Sequence, residues 1–147
     1  MPDHACDAVL NRVLVDLGRS LLQYVGECWP WTPESEEDVR RALDGLVERQ
    51  REQAARLVEL LSRREWPIDF GAYPTAYTDL HYIALDHLLK LLGESESRLL
   101  EEVERSAAEC AGDAAAAATL AGVAAAQREI VEELRGLCRG EAALRSL

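Results

Sequence analysis

Apolar residues recur at three- and four-residue intervals along nearly the whole chain, a pattern that predicts helix almost throughout. Leu10, Leu14, Leu17, Leu21 and Tyr24 form one stripe, widened by Val9 and Val13. It predicts a helix over about residues 3–28, stopped by the prolines of Trp29-Pro30-Trp31-Thr32-Pro33. A second stripe, Val39, Leu43, Leu46, Gln50, Gln53, Leu57 and Leu60, predicts a helix over about 34–64. Its start is marked by Thr32 ahead of Pro33, or by Ser35 three residues ahead of Asp38. Glu34, Glu36, Glu37 and Asp38 suit the positive end of its dipole.

A third stripe runs through Tyr82, Leu85, Leu89, Leu92, Glu96, Leu99, Val103 and Cys110, predicting a helix over about 75–110 that starts at Thr75 or Thr78. Gly93-Glu94-Ser95 offers a point where it can break or kink. In Ala111-Gly112-Asp113, glycine ends one helix and aspartate caps the next. That last helix, about 113–138, opens alanine-rich and continues its inner face through Gln127, Ile130, Leu134 and Leu137. Four such helices predict an all-α four-helix bundle in a single domain over residues 1–147.

The link from Glu65 to Pro74 is the unusual part. Bundle links commonly span about 2–8 polar residues, whereas this one is longer and places Trp66, Ile68 and Phe70 on alternate positions, as in extended chain lying on a surface. A helix of about 30 residues is roughly 45 Å long. Ten extended residues reach about 33 Å and fourteen about 46 Å. A crossover that makes the second and third helices parallel is therefore feasible if the flanking turns unwind. The aromatic residues favour it. Tyr24, Trp29 and Trp31 form one group and Trp66, Phe70, Tyr73, Tyr77 and Tyr82 another. A crossover carries Tyr73 and Tyr77 to the end where Trp29 and Trp31 sit. The alternative is a simple up-down-up-down bundle. The cysteines separate the two: a crossover puts Cys6 with Cys110 and Cys28 with Cys138, whereas the simple bundle pairs Cys6 with Cys138 and Cys28 with Cys110.

Charge narrows the functional classes. A formal net charge of −11 argues against nucleic acid and against anionic membrane surfaces. No run approaches the roughly 18 apolar residues of a membrane span. The start, MPDHACDAVL, has no basic leader, so the expected location is the cytoplasm. The four cysteines contain no C-x-x-C pair, which favours small buried apolar residues in a reducing compartment over a zinc site.

The order of parts, two helices, an apolar proline-containing crossover and two more helices, resembles the ferritin-like superfamily, including bacterioferritins and rubrerythrins. That resemblance implies a di-iron site with one Glu from each of the first and third helices, and a Glu-x-x-His from each of the second and fourth. At the matching places stand Gln50-Arg51-Glu52-Gln53 and Gln127-Arg128-Glu129-Ile130, with amides for carboxylates and no histidine. Glu94 or Glu96 on the third helix and Asp16 on the first are the remaining carboxylates. The resemblance thus implies a bundle whose metal site has been lost. Gln50, Gln53, Glu96 and Gln127 are then expected to form a buried hydrogen-bonded network that fixes helix register.

The residues leave a second reading open. Asp16, Glu96 and His81 are candidate metal ligands, and His81 near Tyr73 and Tyr77 is a candidate general base, against the plainer reading of a satisfied core histidine. No Gly-rich phosphate loop, G-x-S-x-G elbow or H-E-x-x-H motif is present. Two functions are expected from this. The first is a cofactor-free, non-catalytic bundle acting by association as a homo-oligomer or with a protein partner, through an aromatic end of Trp29, Trp31, Tyr73 and Tyr77. The alternative is a metal- or small-ligand-binding bundle, oxidoreductase-like, holding iron, manganese, zinc or copper.

Overall fold

A computed structural model describes residues 4–28, 36–80 and 83–145, with 141–145 described as backbone. The described chain is all-α: α1 (His4–Gly18), α2 (Leu21–Glu27), α3 (Glu37–Arg63), a 3-10 turn (Thr75–Leu80), α4 (Leu85–Glu109) and α5 (Ala114–Arg145). No described helix is long and apolar enough to cross a membrane. Pro30 and Pro33, and Thr32 and Ser35, the expected caps of the second predicted helix, lie outside the described residues; α3 has Glu36 at its N-cap, with no side-chain hydrogen bond there.

Three boundaries differ from those the periodicity predicts. The first helix is two. Ser20 adopts an extended backbone (φ −70°, ψ 163°), and its Oγ accepts from the Gln23 N–H at 3.2 Å, so it caps a fresh start at Leu21. A serine hydroxyl that bonds its own downstream backbone competes with helix continuation. The helix expected from Thr75 begins only at Leu85. The residues before it form a 3-10 turn in which Thr78 Oγ1 donates to the Thr75 carbonyl at 2.7 Å. Gly93 does not break α4, because Leu89 and Leu92 on one side and Leu99 on the other are buried. That burial outweighs glycine's cost of about 1 kcal/mol in a helix. The last helix runs beyond residue 138, to Arg145.

The apolar stripes meet in two clusters. One gathers Cys6, Leu10 and Leu14 of α1, Leu57, Leu60 and Leu61 of α3, Leu99 and Val103 of α4, and Ala116, Leu120 and Val123 of α5. The other gathers Leu21, Leu22 and Val25 of α2, Leu43, Leu46 and Val47 of α3, Leu85, Leu88 and Leu92 of α4, and Ile130 and Leu134 of α5. Both α3 and α4 thus begin in the second cluster and end in the first. The linking segment follows suit, with Trp66 and Ile68 packed on the first cluster and Tyr77, Leu80 and Ile83 on the second.

Polar contacts tack this segment to α1. Asn11 grips the Asp69 backbone from both sides, Nδ2 donating to its carbonyl at 2.9 Å and Oδ1 accepting from its N–H at 3.0 Å. Arg19 Nε donates to the Phe70 carbonyl at 3.2 Å, leaving the Phe70 ring 53% exposed. Gly71 has φ +68°, and a Cβ there would lie 2.6 Å from Val15 Cγ1, so only glycine lets the chain pass this close to α1. At the end of the first cluster, Arg64 bridges two helix starts. Nη1 donates to Asp7 Oδ1 at 2.9 Å, and the two guanidinium nitrogens reach Asp113 at 2.6 and 2.7 Å. Asp113 in turn caps α5, accepting from the Ala116 N–H at 3.2 Å.

Candidate functional site at the buried glutamate

Five buried polar residues stand at the boundary between the two clusters. On each helix the polar residue is flanked by one cluster on either side: Ser20 between Leu17 and Leu21, Gln50 between Val47 and Leu57, Glu96 between Leu92 and Leu99, and Gln127 between Val123 and Ile130. Gln23 joins them from α2. Gln50 is the hub. Its Nε2 donates to Glu96 Oε1 at 2.9 Å and to Gln127 Oε1 at 3.0 Å. Its Oε1 accepts from Ser20 Oγ at 2.8 Å and from Gln23 Nε2 at 3.0 Å. These are all four hydrogen bonds an amide side chain can make. Gln127 Nε2 closes onto the Glu96 backbone carbonyl at 3.1 Å, and Arg51 Nε donates to Gln23 Oε1 at 3.1 Å.

Glu96 is the one member left incomplete. It has no exposed surface, and among the described residues its Oε2 has no hydrogen-bond partner. Burial pushes its carboxyl up to about 7, opposed only in part by Gln50 and the Ser20 hydroxyl. That hydroxyl has one proton, given to Gln50 at 2.8 Å.

Glu96 and Ser20 also form part of the wall of a cleft of about 290 Å³ between α1, the linking segment and α4, which Asp16, Tyr77, Ser95 and Glu102 help to line. Asp16 is half-buried. Its carboxyl is raised by burial, with Arg12 opposing and Glu102 adding. The Tyr77 phenol is raised by burial, then by the Glu96 charge, with Ser95 and Arg98 opposing and Asp16 adding. Tyr77 thus stays a neutral hydroxyl between two carboxyl groups. A larger groove of about 560 Å³ lies between α4 and α5, past Leu89, Gly93, Leu134 and Cys138. None of the buried polar residues lines it.

Of the candidate residues, Gln50, Gln127 and Glu96 are hydrogen-bonded together, and Asp16 shares the cleft with Glu96 and Tyr77. Gln53 is not in the network, contrary to expectation. It is half-buried, and its Oε1 accepts from Arg56 Nη1 at 3.0 Å on the outer side. Three residues turn a helix by about 300°, which moves Gln53 off the inward line that Gln50 occupies. Tyr73 and Tyr77 meet Tyr24, with ring centroids 5.3 and 5.4 Å from it, and Arg19 lies 4.9 Å over the Tyr73 ring. His81, Trp29 and Trp31 lie outside the described residues. Ser20 and Gln23 were missed. The available signal was a serine two residues after Gly18, inside an otherwise apolar stripe.

Three amides, a hydroxyl and one carboxylate do not fit a di-iron centre, which needs several anionic and imidazole donors. The one carboxylate oxygen facing the amides is already bonded to Gln50. Among the described residues, no three His, Cys, Asp or Glu side chains are grouped to hold a metal ion. Comparison with protein-family models, curated proteins and solved structures finds no match to this chain.

Proposed function

We propose that the protein is a four-helix bundle of ferritin-like organisation, with a crossover between α3 and α4, that binds a small ligand in place of di-iron chemistry. The observation that carries this reading is Glu96: fully buried, held at Oε1 by Gln50, unpartnered at Oε2, and part of a cleft wall. A buried acceptor without a partner costs about 1–3 kcal/mol, a cost that a bound group can remove. Two observations support the crossover: the shared clusters at the starts and ends of α3 and α4, and the placement of Trp66 and Ile68 on the first cluster and of Tyr77 and Leu80 on the second. Association through the aromatic end rests on Trp29 and Trp31, outside the described residues, so the cleft carries the proposal instead.

A fragment screen on isotopically labelled protein tests it. The expected result is a set of amide shift changes confined to Ser20, Tyr77, Ser95 and Glu96. Shifts elsewhere only, or none, would remove the cleft as a binding site. Elemental analysis of the same sample is expected to give far less than one iron per chain, and near-stoichiometric iron would overturn the reading.

A further inference from the structure

The walls of the cleft say what kind of small molecule it suits, an inference that rests on the cleft being a binding site. Glu96 lines it with a fully buried carboxyl whose Oε2 has no hydrogen-bond partner among the described residues, an acceptor once the carboxyl is ionised. Asp16 and the Tyr77 hydroxyl, both on the same cleft, are acceptors too. The cations nearby are engaged or exposed: Arg19 donates to the Phe70 carbonyl and lies over the Tyr73 ring, Arg12, whose charge reaches Asp16, donates to Ser106 and Glu109, and Arg98, whose charge reaches the Tyr77 phenol, is exposed. The remaining charged group on the wall, Glu102, is again a carboxylate. From α3 and α5, Glu96 is faced by the neutral amides of Gln50 and Gln127. Val15, Ala72 and Leu99 supply an apolar surface beside these acceptors. A volume of about 290 Å³ holds roughly ten waters at about 30 Å³ each, so the guest is small.

We propose that the cleft binds a small primary ammonium ion, its –NH₃⁺ donating to Glu96 Oε2, Asp16 and the Tyr77 hydroxyl while its alkyl part lies on Val15 and Leu99. An ammonium has three donors and no acceptor, the complement of the Asp16 and ionised Glu96 carboxylates and the Tyr77 oxygen on this wall. It also supplies the positive charge that a buried carboxylate lacks here. Because the buried Glu96 carboxyl holds its proton up to about pH 7, binding below that pH displaces the proton to solvent: one cation enters and one proton leaves.

Calorimetric titration of the full chain with n-butylammonium, n-butanol and butyrate tests this. The expected result is binding of n-butylammonium alone. In buffers of different ionisation enthalpy, about one proton should be released per ligand at pH 6 and close to none at pH 8.5. E96Q and, separately, D16N should each weaken binding at least tenfold. D16N alters a half-buried residue outside the amide network and guards against a folding defect in E96Q. Equal binding of n-butanol or butyrate would overturn the ammonium assignment while leaving the cleft a binding site. Binding of n-butylammonium that is unchanged in both variants would also overturn it. No binding of any of the three would overturn both this inference and the cleft reading on which it rests.

Discussion

Gln50 Nε2 lies 2.9 Å from Glu96 Oε1, and this single bond joins the middle of α3 to the only carboxyl in the buried network. It also fixes how the protein responds to pH. The Glu96 carboxyl is raised from an ordinary 4.5 to about 7 by burial, so the folded state binds its proton more tightly than the unfolded state does. Below about pH 4.5 both states hold the proton and no penalty applies. Between 4.5 and 7 the folded state keeps a proton that the unfolded chain has lost, so stability falls as pH rises. Above 7 the loss is complete, on the order of 3 kcal/mol. Glu96→Gln removes the titration and retains an oxygen for Gln50. Urea unfolding of this variant is expected to show no excess loss between pH 5 and 8. At pH 8 it should be more stable than the wild type by roughly 1–3 kcal/mol. Parallel stability curves for the two proteins would show that Glu96 is not protonated in the fold.

Gln50 donates to two acceptors and accepts from two donors, so its replacement by the carboxylate that the resembled family carries is not conservative here. Gln50→Glu deletes the bonds to Glu96 and Gln127 and sets a second carboxyl beside Glu96. Two adjacent carboxyls cannot both ionise cheaply. The expected loss is roughly 3 kcal/mol at pH 8 and clearly less at pH 5, where both can be protonated. Equal losses at the two pH values, read by urea unfolding, would mean that the new carboxyl turns away from Glu96.

How much of this was legible beforehand depended on which forces acted locally. The stripes through Leu43, Leu46 and Leu57, and through Leu89, Leu92 and Leu99, announce α3 and α4 because helix periodicity and burial coincide in them. Gln50, Glu96 and Gln127 stand out as polar residues on apolar lines, so most of the network could be named. The break at Ser20 could not, since that position also reads as a continuing helix; the hydroxyl that caps the new start also donates to Gln50, thirty residues away, a contact no local pattern reveals. The late start of α4 was hidden for a related reason. Thr75 and Thr78 have the right chemistry for a helix cap, but Tyr77 and Leu80 are drawn onto the second cluster in a 3-10 turn instead. Gln53 stands on the same line in the sequence, but it is only half-buried and turns its amide oxygen to Arg56, a partner that the stripe does not reveal. The cleft itself is invisible in one dimension, being made where α1, α4 and the linking segment come together.

Arg64 holds Asp7 and Asp113 together, and Asp7 is 1% exposed. Arg64→Met should therefore cost about 3 kcal/mol, mostly from the buried Asp7 carboxylate, which keeps only the exposed His4 Nδ1 at 3.5 Å near its Oδ2. Adding Asp7→Asn in the same chain should recover much of that loss, because the buried charge is then gone. Asp113 makes this clasp pH-dependent. The Arg64 hydrogen bonds hold its carboxyl below the usual range, so its contribution is present above about pH 4 and fades as pH falls through the lowered value. In Arg64→Met that contribution should be smaller, and its loss should be complete at a higher pH. If Asp7→Asn fails to rescue, the clasp contributes through the packing of the arginine stem and not through charge.

Cys6 and Cys110 give the arrangement of the helices a chemical readout. They share the first cluster, both buried, and the Cys110 thiol is pushed up to about 12 by burial, then by its hydrogen bond to Cys6 and by nearby Asp113 and Glu109. At pH 8 it therefore stays a thiol, and the thiolate is the reactive form. Cys28 is exposed and Cys138 half-buried. A disulfide exchange reagent should thus modify Cys28 quickly, Cys138 more slowly, and Cys6 and Cys110 only once denaturant opens the fold. With Cys28 and Cys138 replaced by serine, mild oxidation with diamide in low urea should join Cys6 to Cys110. The start of α1 and the end of α4 lie side by side only if the segment after Arg64 travels the length of the molecule. In the four-cysteine protein a bond between Cys6 and Cys138 would instead put the end of α5 beside the start of α1, and the crossover would have to be abandoned.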